Sequence, residues 1–179
     1  MIKKILLGLL ALIAVLCVVI ALQPADFKIS RSAKINAPPA TVFAQVNDFH
    51  KWEAWSPWAK MDPNCKFSYE GPAAGVGATF RWEGNMDVGT GNMTITESKP
   101  ADLILIRLEF LKPMQGVNTT EFTFKPDGAQ TDVSWTMTGK NNFVGKAFSL
   151  FMDCDKMVGG QFEKGLASMK SIAEAAPKS

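Results

Sequence analysis

The sequence holds few residues arranged for covalent or acid–base chemistry. Its single histidine, His50, has Asp48 before it and Glu53 after it. A histidine beside a carboxylate is half of an acid–base device, but nucleophilic catalysis also needs a serine or cysteine within reach of the base. None shares a local element with His50, so no catalytic residue is assigned. One histidine among scattered carboxylates is not a metal-ligand pattern, and no metal or cofactor is expected. Gly71, Gly75 and Gly77 lack the following helix and lysine of a phosphate loop and read as turn residues. Cys65 and Cys154 are open to two readings, a disulfide in an oxidising compartment or two free thiols.

What the chain supplies in quantity is apolar surface, and the elements that present it follow from its periodicity. Phe27, Ile29, Arg31, Ala33 and Ile35 alternate with Lys28, Ser30, Ser32 and Lys34, the period of a half-exposed strand. Pro38 and Pro39 end that strand and open a short helix over Thr41 to Val46, followed by a helix or tight turn over His50 to Trp55. Six further alternating runs follow, near residues 67–70, 79–83, 91–96, 103–110, 118–125 and 130–139, with turn residues between them. Short turns make these strands antiparallel neighbours. The period then changes to three and four at Val158, Phe162, Gly165, Leu166, Met169, Ile172 and Ala173, an amphipathic helix. Gly159 and Gly160 weaken its start, so the regular helix is expected from about Gln161.

Ile5 to Leu22 carries no charged side chain and is long enough as a helix, about 27 Å, to approach the hydrocarbon core of a bilayer. A retained membrane anchor fits better than a cleaved signal peptide, because the paired small residues of a cleavage site are missing after the run. Lys3 and Lys4 before it favour an outward-facing domain, although Lys28, Arg31 and Lys34 oppose that bias. The expected division is an anchor and linker over 1–26 and one domain over 27–179. The formal net charge is +2, of which Lys3 and Lys4 supply two positive charges, leaving no basic field for a nucleic acid partner.

The order of one strand, short helices, six strands and a long helix resembles the polyketide cyclase/dehydrase and lipid transport family of the START-like, or Bet v 1-like, superfamily (SRPBCC). The resemblance runs from Phe27 to Ala175. It is carried by Ser32-Ala33-Lys34-Ile35-Asn36-Ala37-Pro38-Pro39, by Trp52-Glu53-Ala54-Trp55-Ser56-Pro57-Trp58 and by Gly160-Gln161-Phe162-Glu163-Lys164-Gly165-Leu166. It is closest in style to small membrane-anchored bacterial members. The resemblance implies an α+β helix-grip fold, a curved antiparallel sheet of about seven strands around the C-terminal helix with an apolar cavity between them.

On that fold the inward faces offer candidate cavity-lining residues. From the sheet these are Phe80, Trp82, Met93, Ile95, Ile104, Ile106, Leu108, Phe122, Phe124, Val133, Trp135 and Met137, and from the helix Phe162, Leu166 and Met169. Aromatic and methionine side chains suit an apolar ligand because they combine area with adaptability. Arg31 and Glu97 fall in phase with apolar neighbours and are candidate polar cavity residues. Phe143 to Met152, with Phe143, Phe148, Phe151 and Met152, is a candidate lid or a segment dipping into the membrane surface. Trp52, Trp55 and Trp58 pack against the first short helix or frame the cavity mouth. The expected function is binding of a lipid or other hydrophobic molecule at the outer face of a bacterial inner membrane, without catalysis. The alternatives are a structural or protein-interaction module with a filled cavity, and a cyclase- or hydrolase-type enzyme.

Overall fold

The period-two segments fold as seven strands of one antiparallel sheet in the computed structural model, which describes residues 1–176. The end of the expected 27–179 domain, residues 177–179, lies outside the described residues. The strands are β1 (Asp26–Ile35), β2 (Lys66–Glu70), β3 (Thr79–Glu83), β4 (Thr90–Lys99), β5 (Leu103–Lys112), β6 (Gly116–Asp127) and β7 (Gln130–Lys140). Their order across the sheet is β1-β7-β6-β5-β4-β3-β2, so the two strands that are successive in sequence, β1 and β2, lie at opposite edges. The chain between them has to travel from one edge to the other.

It does so through α2 (Pro39–Val46) and the one-turn α3 (Trp52–Trp55), flanked by 3₁₀ turns at Phe49–Lys51 and Pro57–Lys60. Val42, Phe43 and Val46 of α2 are buried, and Phe43 meets Phe124 of β6 edge to face at 5.5 Å. The indole N–H of Trp52 donates to the Val46 carbonyl at 2.9 Å, and that of Trp55 to the Gln45 carbonyl at 3.1 Å. These bonds fold the tryptophan segment back against the end of α2, which satisfies two indoles that are almost fully buried.

The long helix α5 (Cys154–Ala175) buries Phe162, Leu166, Met169 and Ala173 against the sheet. It begins earlier than the paired glycines suggest. The Asp153 carboxylate accepts from the Lys156 N–H at 2.9 Å and caps the first turn. Gly159 is there because a Cβ at that position would collide with the Arg31 guanidinium, which crosses the helix at this point. Arg31 pairs there with Asp155 at 2.8 Å and Glu163 at 2.7 Å, tying the front half of α5 to β1.

Helix α1 (Ile2–Leu22) is, among the described residues, the one helix long and apolar enough to cross a membrane. Of its residues only Ile20 is buried, and none belongs to the domain's hydrophobic core cluster. Helix α4 (Phe143–Phe151) lies beside it, with the Lys146 ammonium donating to the Ala21 carbonyl at 3.0 Å. Cys17, Cys65 and Cys154 are all free thiols.

Candidate functional site

The concave face of the sheet is not filled evenly. Where α2 crosses it, the side chains of β4 to β7 are sealed: Ile95, Ile104, Ile106 and Val133 have no exposed surface. Toward the β2 edge, beyond α3, a cavity of about 280 Å³ remains. Its walls are Phe67 and Tyr69 of β2, Phe80 and Trp82 of β3, Met93 of β4, Leu108 and Phe110 of β5, Thr120 of β6, and Trp135 and Met137 of β7. Helix α5 contributes Val158 and Phe162, the crossing segment Trp52, Glu53, Ser56, Trp58 and Ala59, and the β3–β4 loop Asp87 and Val88. A concave, predominantly aromatic and apolar surface with few polar groups has the composition of a small-molecule site.

Trp135 is the floor of this cavity. Its indole stacks on Phe162 with ring centroids 4.1 Å apart and planes 8° apart, and on Phe122 at 4.9 Å. The six-membered edge reaches α5 because residue 165 is glycine; a Cβ there would stand 2.8 Å from Trp135 Cζ3. Trp52, Trp55 and Trp82 each hand their N–H to a backbone carbonyl, the last to Val88 at 3.2 Å. The N–H of Trp135, a residue 2% exposed, has no acceptor among the described residues.

Seven of the fifteen expected lining residues border the cavity: Phe80, Trp82, Met93, Leu108, Trp135, Met137 and Phe162. The other eight, Ile95, Ile104, Ile106, Phe122, Phe124, Val133, Leu166 and Met169, belong to the packed core. The alternation that puts a residue on the inner face is the same at both ends of the sheet. Which end stays open depends on where the β1-to-β2 crossing lies. Phe67 and Tyr69 were legible as an alternating pair, and Thr120 as a polar residue in phase with Phe122 and Phe124. Val158 was on the apolar stripe of the C-terminal helix with Phe162, whereas the contributions of Ser56, Ala59 and Asp87 carry no sequence signal.

Arg31 does face the helix side of the sheet, as its phase implies, but its guanidinium is spent on Asp155 and Glu163 and it does not border the cavity. Those carboxylates raise its pKa above the usual guanidinium range, first through the hydrogen bonds Arg31 donates to Asp155. Glu97 lies on the outer face. Thr96 is an unpaired bulge residue, with Ile95 opposite Ile106 and Glu97 opposite Leu105. The extra residue shifts the phase, so Ser98 takes the inward place and its hydroxyl bonds Asn47 Oδ1 at 2.7 Å, while Glu97 pairs with Lys99.

His50 contacts Asp48 at 2.9 Å through Nδ1 and stacks on Tyr69 at 4.1 Å, outside the cavity. Burial, with Glu53 and Asp48 nearby, pushes the Tyr69 phenol up, which keeps it neutral. Phe143, Phe148, Phe151 and Met152 do not border the cavity either; they are exposed on and just after α4, next to α1.

Residues 26–174 match the family model described as polyketide cyclase / dehydrase and lipid transport. No curated protein matches the chain. Among solved structures, protein CV1439 from Chromobacterium violaceum is 16% identical with a TM-score of 0.61, over 83% of this chain and 98% of that one. A protein from Rhizobium leguminosarum is 13% identical with a TM-score of 0.61, over 86% of this chain and 98% of that one. The di-domain ARO/CYC BexL of the BE-7585A biosynthetic pathway is 17% identical with a TM-score of 0.63, over 88% of this chain and 53% of BexL. At these identities the likeness is one of fold.

Proposed function

The chain belongs to the polyketide cyclase / dehydrase and lipid transport family, and from that premise we propose that it binds a lipid or another hydrophobic small molecule in the cavity under α5, without catalysing a reaction on it. The observation that carries this reading is the cavity itself, about 280 Å³ of space walled mainly by aromatic and aliphatic side chains. A ligand burying about 300 Å² of apolar surface there would gain roughly 7–8 kcal/mol before the cost of its ordering. Useful affinity needs nothing more.

In this reading residues 1–26 are the anchor and linker and residues 27–179 the binding domain, held at the extracytoplasmic face of a bacterial inner membrane by a single span. The apolar, exposed length of α1 supports the anchor, and Lys3 and Lys4 support the orientation. The exposed aromatics of α4 sit beside the C-terminal end of α1, which favours contact with the membrane surface over a lid. A cyclase or hydrolase reading draws no support from His50, Arg31 or Glu97, all of which lie outside the cavity lining. A protein-interaction module remains the competing reading, and it predicts that the cavity takes up no ligand.

The test is to purify the full chain from its own membranes and to look for a bound hydrophobic molecule by native mass spectrometry. Release of a defined compound, and its loss when Leu108 is enlarged to fill the cavity, is the expected outcome. A chain that arrives empty and takes up no apolar probe refutes the reading. Extraction of the membranes at alkaline pH tests the anchor separately, since a spanning chain stays with the lipid.

A further inference from the structure

The sheet has two ends, and the exposed apolar side chains of the domain are gathered at one of them. Asp26 pairs with Lys140, Phe110 with Gly116, Thr90 with Lys112 and Lys66 with Glu83. These pairings put the start of β1, the end of β7, the β5–β6 hairpin, the β3–β4 loop and the start of β2 at a common end. Helix α4 follows β7 there, and α5 begins there: Asp155 meets Arg31 within β1, whereas Glu174, near the far end of α5, accepts from the Asn36 N–H just after β1. Outside α1, thirteen large hydrophobic side chains are exposed among the described residues. Eleven belong to this end: Met86 in the β3–β4 loop, Leu111, Met114 and Val117 on the β5–β6 hairpin, six on or just after α4, and Met157 in α5. Of the other two, Met61 stands before β2, and Val76, in the β2–β3 loop, is the one placed at the opposite end.

An exposed apolar face of this extent marks a contact surface, and the connectivity of the chain says with what. Helix α1 ends at Leu22 and β1 starts at Asp26, so the two are joined by Gln23, Pro24 and Ala25 alone. That link reaches at most about 14 Å. It is also fastened at both ends: the Lys146 ammonium donates to the Ala21 carbonyl at 3.0 Å, and the Asn141 N–H to the Ala25 carbonyl at 2.8 Å. A headgroup layer is roughly 5–8 Å thick. With α1 across a bilayer, the loops gathered around its exit therefore stand at the lipid surface. We propose that this whole end of the domain rests on the bilayer, with Met114 of the β5–β6 hairpin and Met86 of the β3–β4 loop immersed at headgroup level beside α4. The cavity reaches the same end, since Asp87 and Val88 follow Met86, Phe110 leads into the hairpin and Val158 follows Met157. Docking on these loops turns that end of the cavity toward the lipid layer. The inference rests on the anchor reading of α1 and adds to it the face that the domain presents to the membrane.

The unaltered full chain is placed in phosphatidylcholine nanodiscs in which part of the lipid carries a diazirine near the glycerol end of its acyl chains. After irradiation and digestion, lipid adducts are mapped by mass spectrometry. Adducts are expected on α1, on α4 and on the peptides carrying Met86 and Met114, with yields at those two loops at least about tenfold above that of the peptide carrying Val76. Adducts on α1 and α4 with none at Met86 or Met114 overturn the proposal and leave the anchor standing. Equal yields at Met86, Met114 and Val76 overturn it as well, because the domain then shows the lipid no preferred end. Absence of adducts on α1 refutes the anchor reading and this inference with it. If an amine-reactive crosslinker joins two copies through Lys112 beside the hairpin while lipid adducts there are absent, the surface belongs to a second copy and the proposal is overturned.

Discussion

Two glycines of α5 that look alike in sequence have opposite roles, and substitution separates them. Gly165 gives Trp135 its place: a Cβ there would sit 2.8 Å from Cζ3 and 3.2 Å from Pro57 Cδ. Gly165→Ala therefore destabilises the domain by about 1–3 kcal/mol, outweighing the gain of about 1 kcal/mol in helix propensity. Gly160 has nothing within 4 Å of its would-be Cβ, and Gly160→Ala stabilises by up to about 1 kcal/mol. Thermal unfolding of the two variants checks both signs. A second residue-scale outcome concerns Asp155, whose carboxyl is held below the usual range by the hydrogen bond from Arg31. A depressed folded-state pKa adds stability that is complete above the ordinary carboxylate range and lost as pH falls through the depressed value. Asp155→Asn is thus less stable than the parent at neutral pH, and the gap in melting temperature closes on acidification. Its carboxylate is largely solvent-exposed, so the gap is small. A gap that widens in acid would contradict the pairing.

At the scale of elements, the bulge at Thr96 sets which residues of β4 look inward. Deleting Thr96 leaves Ile95 inward and Glu97 outward, so the shortened chain keeps a cooperative melt. Deleting Thr94 instead forces either Met93 or Ile95 off the inner face, and a cooperative melt is lost. Circular dichroism on the two deletions distinguishes them. Strict alternation puts Glu97 on the inner face and the bulge turns it outward, because alternation does not reveal an inserted residue. Helix α4 carries its own expectation. Phe151 is 72% exposed on a helix that lies against the apolar helix α1, and a fluorophore on Phe151→Cys in vesicles should be quenched by brominated lipid. Free quenching by aqueous iodide instead would turn this face of α4 away from the membrane.

For the whole molecule, the open cavity is an unfilled part of the core, so filling it should trade binding for packing. Leu108→Trp adds an indole to the cavity wall and is expected to weaken binding of an apolar probe by at least about tenfold. The melting temperature should stay within a few degrees, because the added group enters existing space and does not displace neighbours. Dye displacement and calorimetry read the two effects. A variant that binds as well as the parent would place the ligand elsewhere. The topology explains why the cavity is where it is: β1 and β2 close opposite edges, and the chain joining them covers one end of the concave face and leaves the other.

Local periodicity determined the elements of this protein, because the pleat and the helix each impose a fixed repeat on which side chains are apolar. It gave seven strands, the C-terminal helix, the apolar N-terminal helix and the inward set from which both core and cavity are drawn. Tertiary structure alone decided how that set divides. Ile104 and Leu108 have the same local pattern on the same strand, yet Ile104 is sealed in the core and Leu108 borders the cavity. The difference depends on the position of the chain crossing between the two sheet edges, a contact between residues distant in sequence. The same holds for the unpartnered N–H of Trp135, since a missing acceptor is a property of the assembled surroundings and leaves no mark on neighbouring residues.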